Sequence, residues 1–242
     1  MTKIIFVSGT GRSGTHLIGR VLSTNKLING RIEEPYTFKL ITRIASRKDL
    51  QTNLVNNILL FLLKIRLRKI IKKSSSIILE KSHPSIWLFE DLVKMIPNSL
   101  FIGVYRDVYP TVSSMINHKG VLSWYNKLPQ NKKNNFLGIT DKNKKQFNGL
   151  SIEEKCTLRW LSHKNELFRL KNKYPERFIL INYEDFINNM DNNLIHLSDF
   201  LNIKNSFIPE KINLKSLNKW KSHLSFDQIQ NIDNIISKEK AI

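Results

Sequence analysis

The sequence has one cysteine, Cys156, among 242 residues, so no disulfide can form within the chain and a disulfide-stapled secreted scaffold is excluded. That thiol falls in a helical pattern and reads as a small buried residue, not a nucleophile. Nine glycines and seven prolines are too few for a collagen-like or linker-dominated chain. Long apolar runs are lacking too. Ile58 to Leu63 gives way to Lys64 far short of a bilayer span. Lys3-Ile4-Ile5-Phe6-Val7 meets Gly9 too early for the core of a signal peptide, and the expectation is a soluble, cytoplasmic protein. Acidic residues are scarce: 20 stand against 39 Lys and Arg, a net charge of +19. Such a field gathers anions, whether nucleic acid, anionic lipid or a phosphorylated small molecule. The chain is also rich in Lys, Asn and Ile, so part of the excess reflects compositional bias. Charge alone therefore does not argue for a nucleic-acid partner.

What is present suits a globular fold, since 41% hydrophobic residues can build a core. Four short apolar runs, Ile4–Ser8, Ser76–Leu79, Leu100–Tyr105 and Phe178–Tyr183, read as strands covered on both faces. Helical periodicity lies between them. Leu17, Ile18, Val21 and Leu22 share one face, as do Val108, Val112, Met115 and Ile116. Pro84 suits a first helical turn, with Ile86, Phe89, Val93 and Ile96 as the buried face. Ser151 with Glu154, and Ser225 with Gln228, have capping-box spacing. The alternation predicts one α/β domain over residues 1–242, a mainly parallel sheet flanked by helices. Residues 126–148, polar, basic and aperiodic, read as a mobile surface loop. Residues 54–73 join an apolar run to six Lys and Arg residues. They form either a basic amphipathic helix touching a membrane or an anionic acceptor, or a helix packed on the domain with a solvated basic face.

The most specific feature is Ser8-Gly9-Thr10-Gly11-Arg12-Ser13-Gly14-Thr15-His16, between the first strand and the first helix. Glycines let successive N–H groups turn inward, and the helix start adds unpaired N–H groups and the positive end of its dipole. Together they cradle a phosphate or sulfate. Gly9 and Gly14 have P-loop spacing, but Thr15-His16 follows where a nucleoside-triphosphate enzyme has Lys and then Ser or Thr. The cation comes early, as Arg12, and no strand ends in an evident magnesium-binding Asp. A sulfuryl donor, handled without metal, fits this pattern.

Residues 8–17 resemble the 5′-phosphosulfate loop of the sulfotransferases that use 3′-phosphoadenosine 5′-phosphosulfate (PAPS). The resemblance implies that Arg12 contacts the bridging oxygen and sulfuryl group, within a cradle of Gly11, Ser13, Gly14, Thr15 and His16. It also implies that Arg106, closing a strand, and Ser114, eight residues on, bind the 3′-phosphate. Glu33-Glu34-Pro35 is similar to the Glu-Pro element of carbohydrate and bacterial members. Glu80-Lys81-Ser82-His83-Pro84 resembles the segment ending their next strand. Asn182-Tyr183-Glu184-Asp185 is similar to the turn whose Tyr lies near adenine, and Lys219-Trp220-Lys221 to the C-terminal Trp segment. The family's Arg-Lys-Gly clamp is missing, which leaves Lys215, Lys219 and Lys221 to replace it.

The implied reaction is in-line attack of an acceptor hydroxyl on sulfur, releasing adenosine 3′,5′-bisphosphate. Arg12, loop N–H groups, Thr15 and Lys81 would stabilise the leaving phosphate. Three residues compete as the base: Glu34 at the carbohydrate-type position, its neighbour Glu33, and His83, which makes Lys81-Ser82-His83 similar to the Lys-Thr-His of cytosolic members. His118 and His163 read as surface or packing residues, and Trp160 as core or acceptor wall. The acceptor could be a sugar, a lipid-linked glycan or a small metabolite. Two rivals stand beside this reading, an ATP- and magnesium-dependent P-loop kinase and a non-catalytic basic protein binding nucleic acid or a nucleotide.

Overall fold

A computed structural model describes residues 4–204, 206–211 and 217–240. Strand β1 (Ile4–Gly9) runs into a turn and helix α1 (Thr15–Leu22). Then follow β2 (Ile28–Ile32), α2 (Pro35–Arg47), α3 (Asn53–Lys72) and β3 (Ile77–Lys81). A 3₁₀ turn over His83–Leu88 leads to α4 (Phe89–Met95), β4 (Ser99–Tyr105), α5 (Val108–Ile116) and α6 (Lys119–Lys127). The chain continues through α7 (Ile152–Lys173), β5 (Phe178–Asn182), α8 (Tyr183–Asn188), α9 (Met190–Leu201), α10 (Trp220–His223) and α11 (Phe226–Lys240).

Among the described residues the sheet has five strands in the order β2-β3-β1-β4-β5, every pair parallel. Strand β1 explains why such strands carry no polar face. Ile5 and Val7 pack with Leu17, Ile18 and Val21 on one side, while Ile4 and Phe6 face Phe89 and Phe101 on the other. From β1 the chain crosses to the edge as β2, comes back to β3 beside β1, and then lays β4 and β5 on the opposite side. The crevice where that direction changes, at the carboxyl ends of β1, β3 and β4, is where open α/β sheets bind ligands.

Three expectations change. Strand β2 carried no signal because its residues Asn29, Gly30 and Arg31 sit on an edge and are only partly covered. Gly30 is required there, since a Cβ would lie 1.9 Å from the Ser23 hydroxyl. Pro84 opens a 3₁₀ turn, and the α-helix starts only at Phe89. Residues 126–148 pack instead of running over the surface. Phe136, Leu137, Ile139 and Phe147 are buried. Asn134 exchanges backbone bonds with Ile139 and donates its side-chain amide to the Ser46 carbonyl. These anchors are spaced without a period, so no pattern betrays them.

Both capping boxes form. Ser151 and Glu154 exchange hydrogen bonds at the start of α7, and Ser225 and Gln228 do so ahead of α11. Cys156 is buried and its thiol is pushed up to about 11 by desolvation, so it stays protonated.

Candidate active site

The turn after β1 is held open by glycine geometry. Gly9 and Gly14 have φ of 157° and 92°, and Arg12 itself adopts the left-handed region at 76°. At Gly14 no other residue fits, because a Cβ would lie 2.0 Å from the Tyr183 ring. The Ser13 hydroxyl sits between the carbonyls of Thr10 (2.6 Å) and Val104 (3.0 Å), which share its one proton and tie the turn to β4. Its own N–H is also taken by Thr10, so Ser13 shapes the cradle from behind. The amides of Thr15, His16 and Leu17 have no intrahelical acceptor, and Thr15 and His16 line the crevice.

Two lobes of one cleft meet at this turn. The outer lobe, about 480 Å³, is bounded by Pro110 and Asn117 of the α5 region and by Lys219, Trp220 and His223. The inner lobe, about 340 Å³, lies between the turn, Glu33, Phe38, Lys81, His83 and Trp124. Arg12, Arg106, Ser114 and His118 border both. Arg12 Nε donates to Ser114 Oγ at 2.9 Å, forming the bridge between the lobes. Arg106 lies over the Tyr183 ring, its carbon 4.6 Å from the centroid, with Nε 3.5 Å from Glu184. Trp160 donates its indole N–H to the Arg106 carbonyl, fixing the end of β4 rather than lining the cleft.

Acidic and basic groups are knotted on the inner lobe. The Glu33 carboxylate receives Lys81 Nζ at 2.5 Å and lies 3.5 Å from both His83 Nδ1 and His16 Nε2. Lys81 also reaches His16 Nδ1 at 3.0 Å. Burial opposes the Glu33 charge, but bonds from His16, His83 and Lys81 outweigh it and hold the carboxyl far below the usual range. His83 is the converse. Desolvation, with the charges of Lys81 and Arg159, lowers it to about 4 despite Glu33, so the imidazole is neutral. Its Nε2 is buried without a hydrogen-bond partner among the described residues, 3.2 Å from where a Cβ on Gly11 would stand. A ring whose Nδ1 faces a carboxylate keeps its proton there and leaves Nε2 unprotonated, against Gly11 at the floor of the inner lobe.

Glu34, the neighbouring carboxylate, is turned away. It caps α2, accepting from the Thr37 amide at 3.0 Å and hydroxyl at 2.5 Å, and pairs with Arg31 at 3.3 Å and Arg66 at 3.2 Å. Desolvation raises its carboxyl, but the bonds from Thr37 and Arg66 dominate and bring it down to about 2. The reason is local: Glu33 takes a left-handed φ of 50°, which sends consecutive side chains to different places. Tyr183 is buried under Gly14 and carries Arg106 from below; it is not a wall of either lobe. Lys219 borders the outer lobe, Lys221 sits over the Trp220 ring outside it, and Lys215 lies outside the described residues. His118 caps α6 by accepting from the Val121 amide, and His163 is buried against the Phe136 carbonyl.

Phe38, Trp124, Asn117 and His223 escaped the sequence reading because lone aromatic and polar residues on helices carry no motif. Arg159 escaped it as well. Its guanidinium is fully buried between the rings of Trp124 (4.3 Å) and Phe136 (4.5 Å), with none of its nitrogens hydrogen-bonded among the described residues.

Glu80, on β3 before Lys81, points to the opposite face and is pushed up to about 7 by desolvation, against a hydrogen bond from Ser82. A carboxyl raised in the fold contributes stability that is complete below its ordinary 4.5 and is lost as pH rises through about 7. Glu80→Gln removes that charge. Its melting temperature relative to wild type should therefore rise between about pH 5 and about pH 8. A constant difference across that range would contradict the buried ionisation.

The comparisons with known proteins agree with this fold. A model of the sulfotransferase family matches residues 5–206. No curated protein sequence matches the chain. Among solved structures, the sulfotransferase domain from the curacin biosynthetic pathway aligns with a TM-score of 0.60 at 15% identity, covering 99% of this chain and 98% of its own. A sulfotransferase from Alicyclobacillus acidocaldarius gives 0.55 at 12% identity, covering 96% and 95%. Mouse sulfotransferase SULT7A1 complexed with PAP gives 0.51 at 11% identity, covering 98% and 84%. At such identities these structures speak for the fold, while the family model spans most of the sequence. The chain belongs to the sulfotransferase family.

Proposed function

We propose that the protein transfers a sulfuryl group from PAPS to an acceptor hydroxyl, with His83 as the base. The observation carrying this reading is the meeting of four features in one cleft at adjacent strand ends: the amide-rich turn, Arg106, Ser114 and the Glu33–His83 pair. The fit to the donor rests on unused polar groups. The first-turn amides of α1 need an anion, and no hydrogen bond engages the terminal nitrogens of Arg106 among the described residues. Arg106 and Ser114 hold the 3′-phosphate, with Lys219 at the lobe's edge. Arg12, Lys81 and the amides of Thr15 and His16 hold the 5′-phosphosulfate.

The donor supplies an activated sulfuryl group, whose bond to the phosphate oxygen breaks as the acceptor oxygen bonds to sulfur. His83 Nε2 takes the hydroxyl proton, and Glu33 facing Nδ1 stabilises the imidazolium that forms. Arg12 and Lys81 meet the charge developing on the released phosphate, and donors of this kind contribute about 3–4 kcal/mol each. Phe38 and Trp124 give the inner lobe aromatic walls, suited to the apolar face of a sugar ring. Aromatic walls favour a carbohydrate or glycolipid hydroxyl over a small aliphatic one.

Thermal shift separates this reading from its rivals. Adenosine 3′,5′-bisphosphate at a hundredfold its Kd should stabilise the protein by about 2.7 kcal/mol without metal, and more than ATP with Mg²⁺ does. The reverse order would favour the kinase. Salt-sensitive nucleic-acid binding indifferent to Arg12→Ala, with no nucleotide shift, would favour the binding protein.

A further inference from the structure

Helix α3 is apolar on two opposite sides. Its inner side is complete, with Leu59, Leu63 and Leu67 buried in the core. On the outer side Leu54, Ile58, Phe61 and Ile65 recur one turn apart on a common line, and Phe61 is 61% exposed. Further along that line the surface turns basic, through the exposed Arg68, Lys69 and Lys72. Neither α3 nor its cap residue Lys73 contributes an acidic side chain. A single apolar face would have served the fold. A second one, aligned and ending in cations, has the form of an interfacial helix: apolar turns enter the acyl boundary while Lys and Arg reach anionic headgroups. A second copy of the chain is the weaker occupant, because each copy carries +19 and every charged side chain of α3 is basic.

We propose that α3 docks the protein on an anionic lipid surface, with Leu54, Ile58, Phe61 and Ile65 inserted and Arg68, Lys69 and Lys72 on the headgroups. Arg66 of the same helix pairs with Glu34, the residue next to Glu33 of the inner lobe, so α3 lies beside that side of the cleft. That the acceptor hydroxyl is lipid-borne is a corollary resting on the sulfotransferase reading; the docking itself rests on α3 alone.

Cosedimentation of the full chain, without nucleotide, tests it. The vesicles are phosphatidylcholine alone, or phosphatidylcholine mixed in equal parts with phosphatidylglycerol. Wild type should pellet only with the anionic vesicles, and less as salt rises. Phe61→Ser/Ile65→Ser should weaken partition by more than about ten-fold. Lys69→Glu/Lys72→Glu should weaken it by about five-fold or more for each cation lost. All four positions are exposed, so melting temperatures should hold, and an unchanged adenosine 3′,5′-bisphosphate shift separates failure of the docking from failure of the donor assignment. Wild type remaining in the supernatant would overturn the proposal, as would vesicle binding unaffected by Phe61→Ser/Ile65→Ser. A wild-type dimer that those two serines dissociate, with no vesicle binding in either form, would give the face to a second copy.

Discussion

His83→Ala is expected to lower kcat by about 10²–10⁴ while leaving the thermal shift with adenosine 3′,5′-bisphosphate intact. The expectation follows from the neutral state of the ring and the unpartnered Nε2 beside Gly11. Glu34→Ala is the contrasting variant. It removes an N-cap and two ion pairs at the start of α2, so it should cost about 1 kcal/mol of stability and spare turnover. A Glu34 variant that folds but does not turn over, beside an active His83 variant, would reverse the two roles. The pH profile carries the same assignment. A base lowered to about 4 must be unprotonated to act, so kcat/KM should hold through neutrality and fall as pH drops through about 4. Lys81 and Arg159 help to depress His83, and bound donor anions offset such charges. The acid limb of kcat should therefore lie at higher pH than that of kcat/KM.

Arg106→Ala should abolish most of the adenosine 3′,5′-bisphosphate shift. A charge-assisted bond to phosphate contributes about 1.5–3 kcal/mol, which is roughly 10- to 100-fold in affinity. Arg106 is already aligned by the Tyr183 ring below, Glu184 beside it and Trp160 on its carbonyl, so binding does not have to order it. Arg12→Ala should divide differently. Arg12 lies between the lobes, where the proposed reaction would develop charge on the leaving phosphate, and its loss should then cost about 10²–10³ in kcat. An Arg106 variant with an undiminished shift would refute the 3′-phosphate assignment.

The parts of the site that were legible in the sequence are those where chain conformation restricts residue choice. The Gly9–Gly14 turn needs glycines, whereas Arg106 and Ser114 were marked by the family resemblance and not by chain geometry. The choice between Glu33 and Glu34 was not legible, because it depends on the left-handed φ of Glu33, which composition does not reveal. Phe38 and Trp124 look like core residues until the fold brings their helices to the cleft. Strand β2 shows the same limit: an edge strand needs backbone partners, not apolar side chains, so INGRI left no period. The buried stretch around Phe136 was hidden because it is tied by isolated anchors and asparagine amides.

A crystal soaked with adenosine 3′,5′-bisphosphate tests the central claim most directly. The 5′-phosphate should lie over the amides of Thr15 and His16 beside Arg12, and the 3′-phosphate between Arg106 and Ser114. Density for the nucleotide anywhere else, or a cleft left empty at saturating ligand, would contradict the account.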